Sequence, residues 1–221
     1  MRLCHRRFAL WPPVVAAAWL VSLAGCQESP DDRFLSSVRE VREGSSVQID
    51  IREGPISSDR LLSHLQGLDS LTSLNLDHSP VGDEGLASIG PLPGLRSLSL
   101  SRTAITDEAI PGLVEQFPNL GFLRLDETMI SNAALGPLSE LRQLRELSLF
   151  RTRIDDEGCD RLARIESLGR VSLAQTLITD RGLFKLSRMP HLRSVSVWQT
   201  RVTDGAIGRF QKLSSQIEVT R

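Results

Sequence analysis

The chain has no tyrosine, three methionines and three cysteines in 221 residues, and no excess of charge of either sign. Each scarcity excludes something. Three cysteines cannot build a disulfide framework, and Cys4 and Cys26 lie in the first 26 residues, which leaves Cys159 alone in the rest. Lys and Arg number 26 against 27 Asp and Glu; the first 26 residues hold Arg2, Arg6 and Arg7 and no acid, so the remainder carries 23 minus 27, or −4. That balance argues against nucleic acid as a partner, because binding to phosphate backbones needs a basic surface. No phosphate loop or paired metal-ligand motif is present, and His64, His78 and His191 are scattered, with no Ser or Cys nucleophile predictable beside them. The acidic runs Asp107-Glu108 and Asp155-Asp156-Glu157 fall where helices should start, so capping accounts for them without calcium. The expectation is a non-catalytic protein with no metal and no cofactor.

What is present begins with a leader. Arg2, His5, Arg6 and Arg7 form a basic start, Phe8 to Leu23 is almost wholly apolar, and Leu23-Ala24-Gly25-Cys26 follows. The run is short for a membrane span and is broken by Pro12 and Pro13, which favours an export signal over a permanent transmembrane helix. LAGC resembles the lipobox of bacterial lipoproteins. That resemblance implies diacylglyceryl modification of Cys26, cleavage before it and acylation of the new amine, enough acyl chain for stable anchoring. Residues 1–26 are thus expected to be a lipoprotein signal peptide, and the exported chain to be membrane-anchored in the bacterial cell envelope, at the periplasmic face or outer membrane. Residues 27–45, QESPDDRFLSSVREVREGS, read as a polar tether, within which Phe34 to Val41 has helical apolar spacing suited to an N-terminal cap.

From residue 46 to 221 the pattern Leu-x-x-Leu-x-Leu recurs every 24 or 25 residues, starting at Leu71, Leu95, Leu120, Leu144, Leu168 and Leu192. A unit this long holds one short strand and one short helix, too little to close a core, so neighbours must stack. The columns are assigned by physics. Alternating Leu-x-Leu is a strand with one buried face. A hydroxyl column follows (Ser79, Thr103, Thr128, Thr152, Thr176, Thr200), suited to satisfying backbone groups of a buried turn. An acidic or amide column (Asp83, Asp107, Asn132, Asp156, Asp180, Asp204) suits helix N-termini, and small residues such as Gly85, Gly158 and Gly182 suit close packing of helix on strand. Cys159 shares the slot of Leu86, Ile110, Leu135, Leu183 and Ile207, and so should be a buried apolar group. Ile49, Ile51 and Ile56 form a degenerate first repeat, and Ile217 and Val219 open an eighth strand. No second domain fits.

These repeats resemble the bacterial leucine-rich repeats with a T-x-[IV]-[TS]-D-x-G-[LA] turn. The resemblance implies an α/β class fold: a right-handed solenoid with a parallel sheet on the concave face and short helices on the convex face. Asn132, Ser79 and one extra residue before Leu120 are its departures.

Function should reside in the outward strand positions. Their N-terminal half is small and polar; the C-terminal half gathers Phe150, Ala174 and Trp198, with Arg124, Arg145, Arg151, Arg170 and Arg193 nearby. Aromatics beside arginines have the composition of a binding hot spot. The expected function is a non-catalytic scaffold that recognises a protein or peptide partner through its concave face. The alternative is a structural envelope lipoprotein that binds cell-wall glycan or self-associates.

Overall fold

The computed structural model describes residues 28–51 and 55–221. The leader and Cys26 lie outside the described residues, as does Arg52. Eight three-residue strands form one parallel sheet in chain order: β1 (Gln48–Asp50), β2 (Ser73–Asn75), β3 (Ser97–Ser99), β4 (Phe122–Arg124), β5 (Glu146–Ser148), β6 (Arg170–Ser172), β7 (Ser194–Ser196) and β8 (Glu218–Thr220). The register is constant: Ile49, Leu74, Leu98, Leu123, Leu147, Val171, Val195 and Val219 stand side by side, each the inward residue of its strand. Short helices return the chain between strands: α2 (Asp83–Ala87), α3 (Ala109–Gln116), α4 (Leu135–Leu138), α5 (Asp156–Leu162), α6 (Asp180–Lys185) and α7 (Asp204–Leu213), with a 3-10 turn, Asp59–Leu65, in the first repeat. One continuous core runs the length of the stack, as a repeat that cannot enclose its own apolar face requires.

Helix α1 (Pro30–Arg42) precedes the first strand and buries Phe34, Val38 and Val41 against the end of that core. Most of the segment read as tether is therefore packed helix. Its start is set by Ser29, whose hydroxyl caps Asp32 N, and by Pro30 in the first turn.

The hydroxyl column behaves as its chemistry suggests. Thr103, Thr128, Thr152, Thr176 and Thr200 each donate to the carbonyl three residues back, at 2.6 to 2.7 Å. The residue before each threonine is in the left-handed region, from 53° at Gln199 to 57° at Arg102, so the strand ends in a tight turn and the hydroxyl satisfies a carbonyl inside it. Ser79 Oγ is buried and has no partner among the described residues. Thr152→Val should therefore cost about 1 kcal/mol, while Ser79→Ala should be neutral or stabilising, because it removes an unpaired buried hydroxyl. Denaturant melts giving equal losses for both would sink this account of the column.

The acidic column does something other than capping its own helix. Asp83 takes the N–H and hydroxyl of Thr106 in the next repeat, Asp107 those of Ser131, Asp156 those of Thr179, and Asp180 those of Thr203. The helix caps are instead the residues one earlier: Ser131, Asp155, Thr179 and Thr203. The column is thus a ladder that staples each repeat to the next. Helix α1 joins it, since Asp31 takes the Ser57 N–H at 2.7 Å and the Ser57 hydroxyl; these bonds hold its carboxyl below the usual range. The small-residue column serves the same ladder, not helix on strand. At Gly182 a Cβ would run into the Asp156 carboxylate, to which the Gly182 N–H donates at 3.0 Å.

Candidate functional site

Each strand shows two outward residues, and these columns line an open groove across β3 to β7. Ser97, Ser99, Ser148, Ser172, Ser194 and Ser196 form its floor; Phe122, Arg124, Glu146 and Arg170 rise from the middle, around a volume of about 360 Å³. Phe122 is 47% exposed. The arginines here are held in place: Arg170 pairs with Glu146 on the neighbouring strand, and Arg124 lies 3.6 Å from Asp126. Such charged side chains on a rigid sheet lose less freedom on binding than free ones would.

The residues read as one hot spot separate into three places. Arg124 and Arg170 are in the groove. Arg145 and Arg193 precede their strands, at the N-terminal edge of the sheet, where Arg145 lines a different cleft. Phe150, Arg151 and Trp198 follow their strands, at the C-terminal edge. There Glu127 takes bonds from Arg102 at 2.7 Å and Arg151 at 3.0 Å, and these pull its carboxyl below the usual range. Phe122 is the single aromatic in its outward column.

The third outward column is covered by the adjoining repeat. Asp77 is 6% and Ala174 5% exposed, Phe150 is half-buried, and among the described residues of the column only Trp198, at 45%, stands clear. Asp77 Oδ1 accepts from the Ser99 hydroxyl and from Ser101 N, and Asp126 Oδ1 accepts from the Ser148 hydroxyl and from Phe150 N. Alternation places these side chains on the outer side of the sheet, but the next strand's hydroxyl draws them against the backbone. Ser148 is consequently a bonded residue and not a free one.

Burial pushes the Asp126 carboxyl up from 3.8, against its bonds to Ser148 and Phe150 N and the charge of Arg124. A carboxyl raised in the folded state binds its proton more tightly folded than unfolded, so the stability it gives at acid pH is lost as pH rises from 3.8 through the raised value. Asp126→Asn keeps the Oδ1 acceptor without the charge. At neutral pH it should be at least as stable as the parent chain, and urea melts should show less of an acid-side gain. A loss above about 1 kcal/mol would mean that the charge itself is needed.

Trp198 is the one tryptophan among the described residues. On residues 27–221, where it is also the one tryptophan in the sequence, its emission should be red-shifted and open to acrylamide quenching. Trp198→Ala should cost little stability, since surface changes usually fall within about 0.5 kcal/mol. A blue, quencher-resistant emission would place the ring in the core.

Other sequence candidates resolve into structure. Cys159 is fully buried, and burial, reinforced by Asp156, pushes its thiol up to about 12, far from a thiolate nucleophile. Among the described residues no three His, Cys, Asp or Glu side chains gather as metal ligands, and no helix is long and apolar enough to cross a membrane.

A parallel sheet of one-strand repeats, each returned by a short helix and sharing one core, is a leucine-rich-repeat solenoid. The family description Leucine Rich repeat matches residues 68–90 and 141–163. Among solved structures the chain is similar to internalin C2 of Listeria monocytogenes, at 25% identity and a TM-score of 0.61, over 79% of this chain and 70% of that one. It also matches an internalin, inlF, of the same bacterium at 16% identity and a TM-score of 0.46, over 83% of this chain and 63% of that one. No curated protein matches it in sequence.

Proposed function

We propose that the chain is an exported, lipid-anchored scaffold that binds a protein or peptide partner through the groove across β3 to β7. The observation that carries this reading is the groove itself: an exposed Phe122 flanked by two ion-paired arginines over a serine floor, on a sheet whose other face is committed to the core. A rigid aromatic among fixed cations and small hydroxyls can anchor a partner at little entropic cost. The repeat fold shared with internalin C2 supports a protein-interaction scaffold. The anchor reading rests on LAGC after an apolar run. If Cys26 carries lipid, α1 follows within four residues, so the chain between them reaches about 15 Å at most, and the capped end of the solenoid lies at the membrane surface.

Two experiments test this. Cys26→Ser should block lipid attachment and leave the leader uncleaved, read as a chain of precursor size that incorporates no labelled fatty acid; wild-type protein that is freely soluble with Cys26 unmodified would refute the anchor. Co-purification from envelope extract should recover a protein whose capture is lost with Phe122→Ser and with Arg170→Glu but kept with Arg201→Ala. Capture indifferent to the groove variants, or groove-dependent sedimentation with peptidoglycan in place of a protein, would refute the partner.

A further inference from the structure

The ion pairs of this protein are unevenly shared. Arg102, Arg124, Arg151 and Arg170, at the groove and the C-terminal edge of the sheet, all face a carboxylate. At the opposite edge, where the chain passes from helix to strand in three successive repeats, a cleft of about 270 Å³ is lined by Ser139, Arg142, Arg145, Arg164, Ser167 and His191, with Glu166 as its one acid. A second hollow continues it past Arg164 to Arg161. Among the described residues the guanidinium groups of Arg142, Arg161 and Arg164 have no hydrogen-bond or ion-pair partner, and that of Arg145 gives one long bond, 3.4 Å, to the Ser167 carbonyl. The two hydroxyls donate inward, Ser139 to Gly136 O at 2.7 Å and Ser167 to Leu144 O at 2.8 Å, so the guanidinium groups and the His191 imidazole are the side-chain donors left facing the cleft. Glu140 adjoins the cleft in sequence without lining it.

We infer that this cleft is a phosphate-binding site, separate from the protein-binding groove. Three guanidinium groups in the cleft, with that of Arg161 in the adjoining hollow, come from neighbouring repeats, and their mutual repulsion is relieved when an anion joins them. A carboxylate occupies one guanidinium fork, whereas a phosphate presents oxygens in several directions and can accept from several forks at once. The phosphate could belong to a soluble phosphate ester or to a lipid headgroup; the same donors read both.

The test follows guanidine modification by phenylglyoxal in the whole chain, resolved by residue with mass spectrometry, in the presence of glycerol phosphate, of acetate, and of phosphatidylcholine vesicles with and without phosphatidylglycerol. Arg142, Arg145, Arg161 and Arg164 should be protected while exposed Arg201 is not. Protection by glycerol phosphate assigns a soluble ester; protection by phosphatidylglycerol vesicles alone assigns the headgroup. The double variant Arg142→Gln with Arg164→Gln, which breaks no bond of the fold, should weaken the protection of Arg145 by on the order of tenfold in ligand concentration, with unchanged circular dichroism. No protection from either phosphate source, equal protection by acetate, or equal protection of Arg201 would overturn the assignment. Loss of the groove-dependent partner leaves these outcomes unaffected, so the two readings fail separately.

Discussion

Asp156→Ala should cost about 3 kcal/mol, a large loss for a residue that is only partly buried. Its carboxylate takes three donors from the next repeat: Thr179 N at 2.8 Å, Thr179 Oγ1 at 2.7 Å and Gly182 N at 3.0 Å. Bonds to a charged group stabilise more than neutral ones, and removing the acceptor leaves two backbone N–H groups without a partner at the junction of two repeats. Asp204, at the other end of the ladder, faces only Arg221 and is exposed, so Asp204→Ala should cost far less. The ladder contains its own control. At one rung Asn132 stands for aspartate and Asp155 for threonine: Asn132 Nδ2 donates to Asp155 Oδ1 at 2.7 Å, and Asn132 Oδ1 accepts from Asp155 N at 3.2 Å. Two carboxylates there would repel, so the amide is required by its partner. Asp156→Asn with Thr179→Asp rebuilds that rung, and the double variant should be more stable than Asp156→Asn alone. Denaturant melts in which the two changes merely add would show that the rungs are not pairwise units.

That exchange also marks where sequence reading stops. The eight strands, their common register and the burial of Cys159 follow from the recurrence of Leu-x-x-Leu-x-Leu, because only one stacking buries every apolar column. The acidic column was visible as a column, yet its role was not: a helix N-terminus and a cross-repeat rung ask for the same side chain at the same place, and the distinction lies in a threonine 23 residues away. The apolar spacing from Phe34 to Val41 made helix α1 legible as a cap, but not its tie to the ladder, since the partner of Asp31 is Ser57 in the most degenerate repeat. On the outer face of the sheet, alternation gives the two outward columns of each strand and fails at the third, where Asp77, Ala174 and Phe150 are covered by the adjoining repeat. Arginines grouped by closeness in sequence were in truth divided between opposite edges of the sheet, because a repeat carries the chain from one edge to the other within a few residues. Phe122 and the cleft around Arg142 and Arg164 emerged only once the columns were placed side by side.

The largest loss is expected at Phe117. The third repeat has an extra residue before Leu120, and the surplus lies in α3, eight residues long where α2 has five and α4 four. Phe117 ends that helix, its N–H bonded to Leu113 O at 2.9 Å, and fills the column otherwise held by Leu68, Leu92, Leu141, Ile165 and Met189. It is fully buried and is the one aromatic in that column. The ring thus occupies more of the interior than the Leu, Ile or Met side chains of the same column. Phe117→Ala should cost roughly 3 to 5 kcal/mol, by lost transfer energy and a cavity that flanking repeats of fixed spacing cannot close, whereas Phe117→Leu, which restores the column's usual residue, should cost less than half as much. In a stack where each repeat touches only its neighbours, a weak link in the middle uncouples the two ends. Melting of Phe117→Ala followed by hydrogen exchange should then show two transitions, with amides of β1 to β3 and of β5 to β8 losing protection at different denaturant concentrations. A single transition displaced by less than about 1 kcal/mol would mean that the longer helix closes over the gap, and that the extra residue, not the ring, sets the packing of the third repeat.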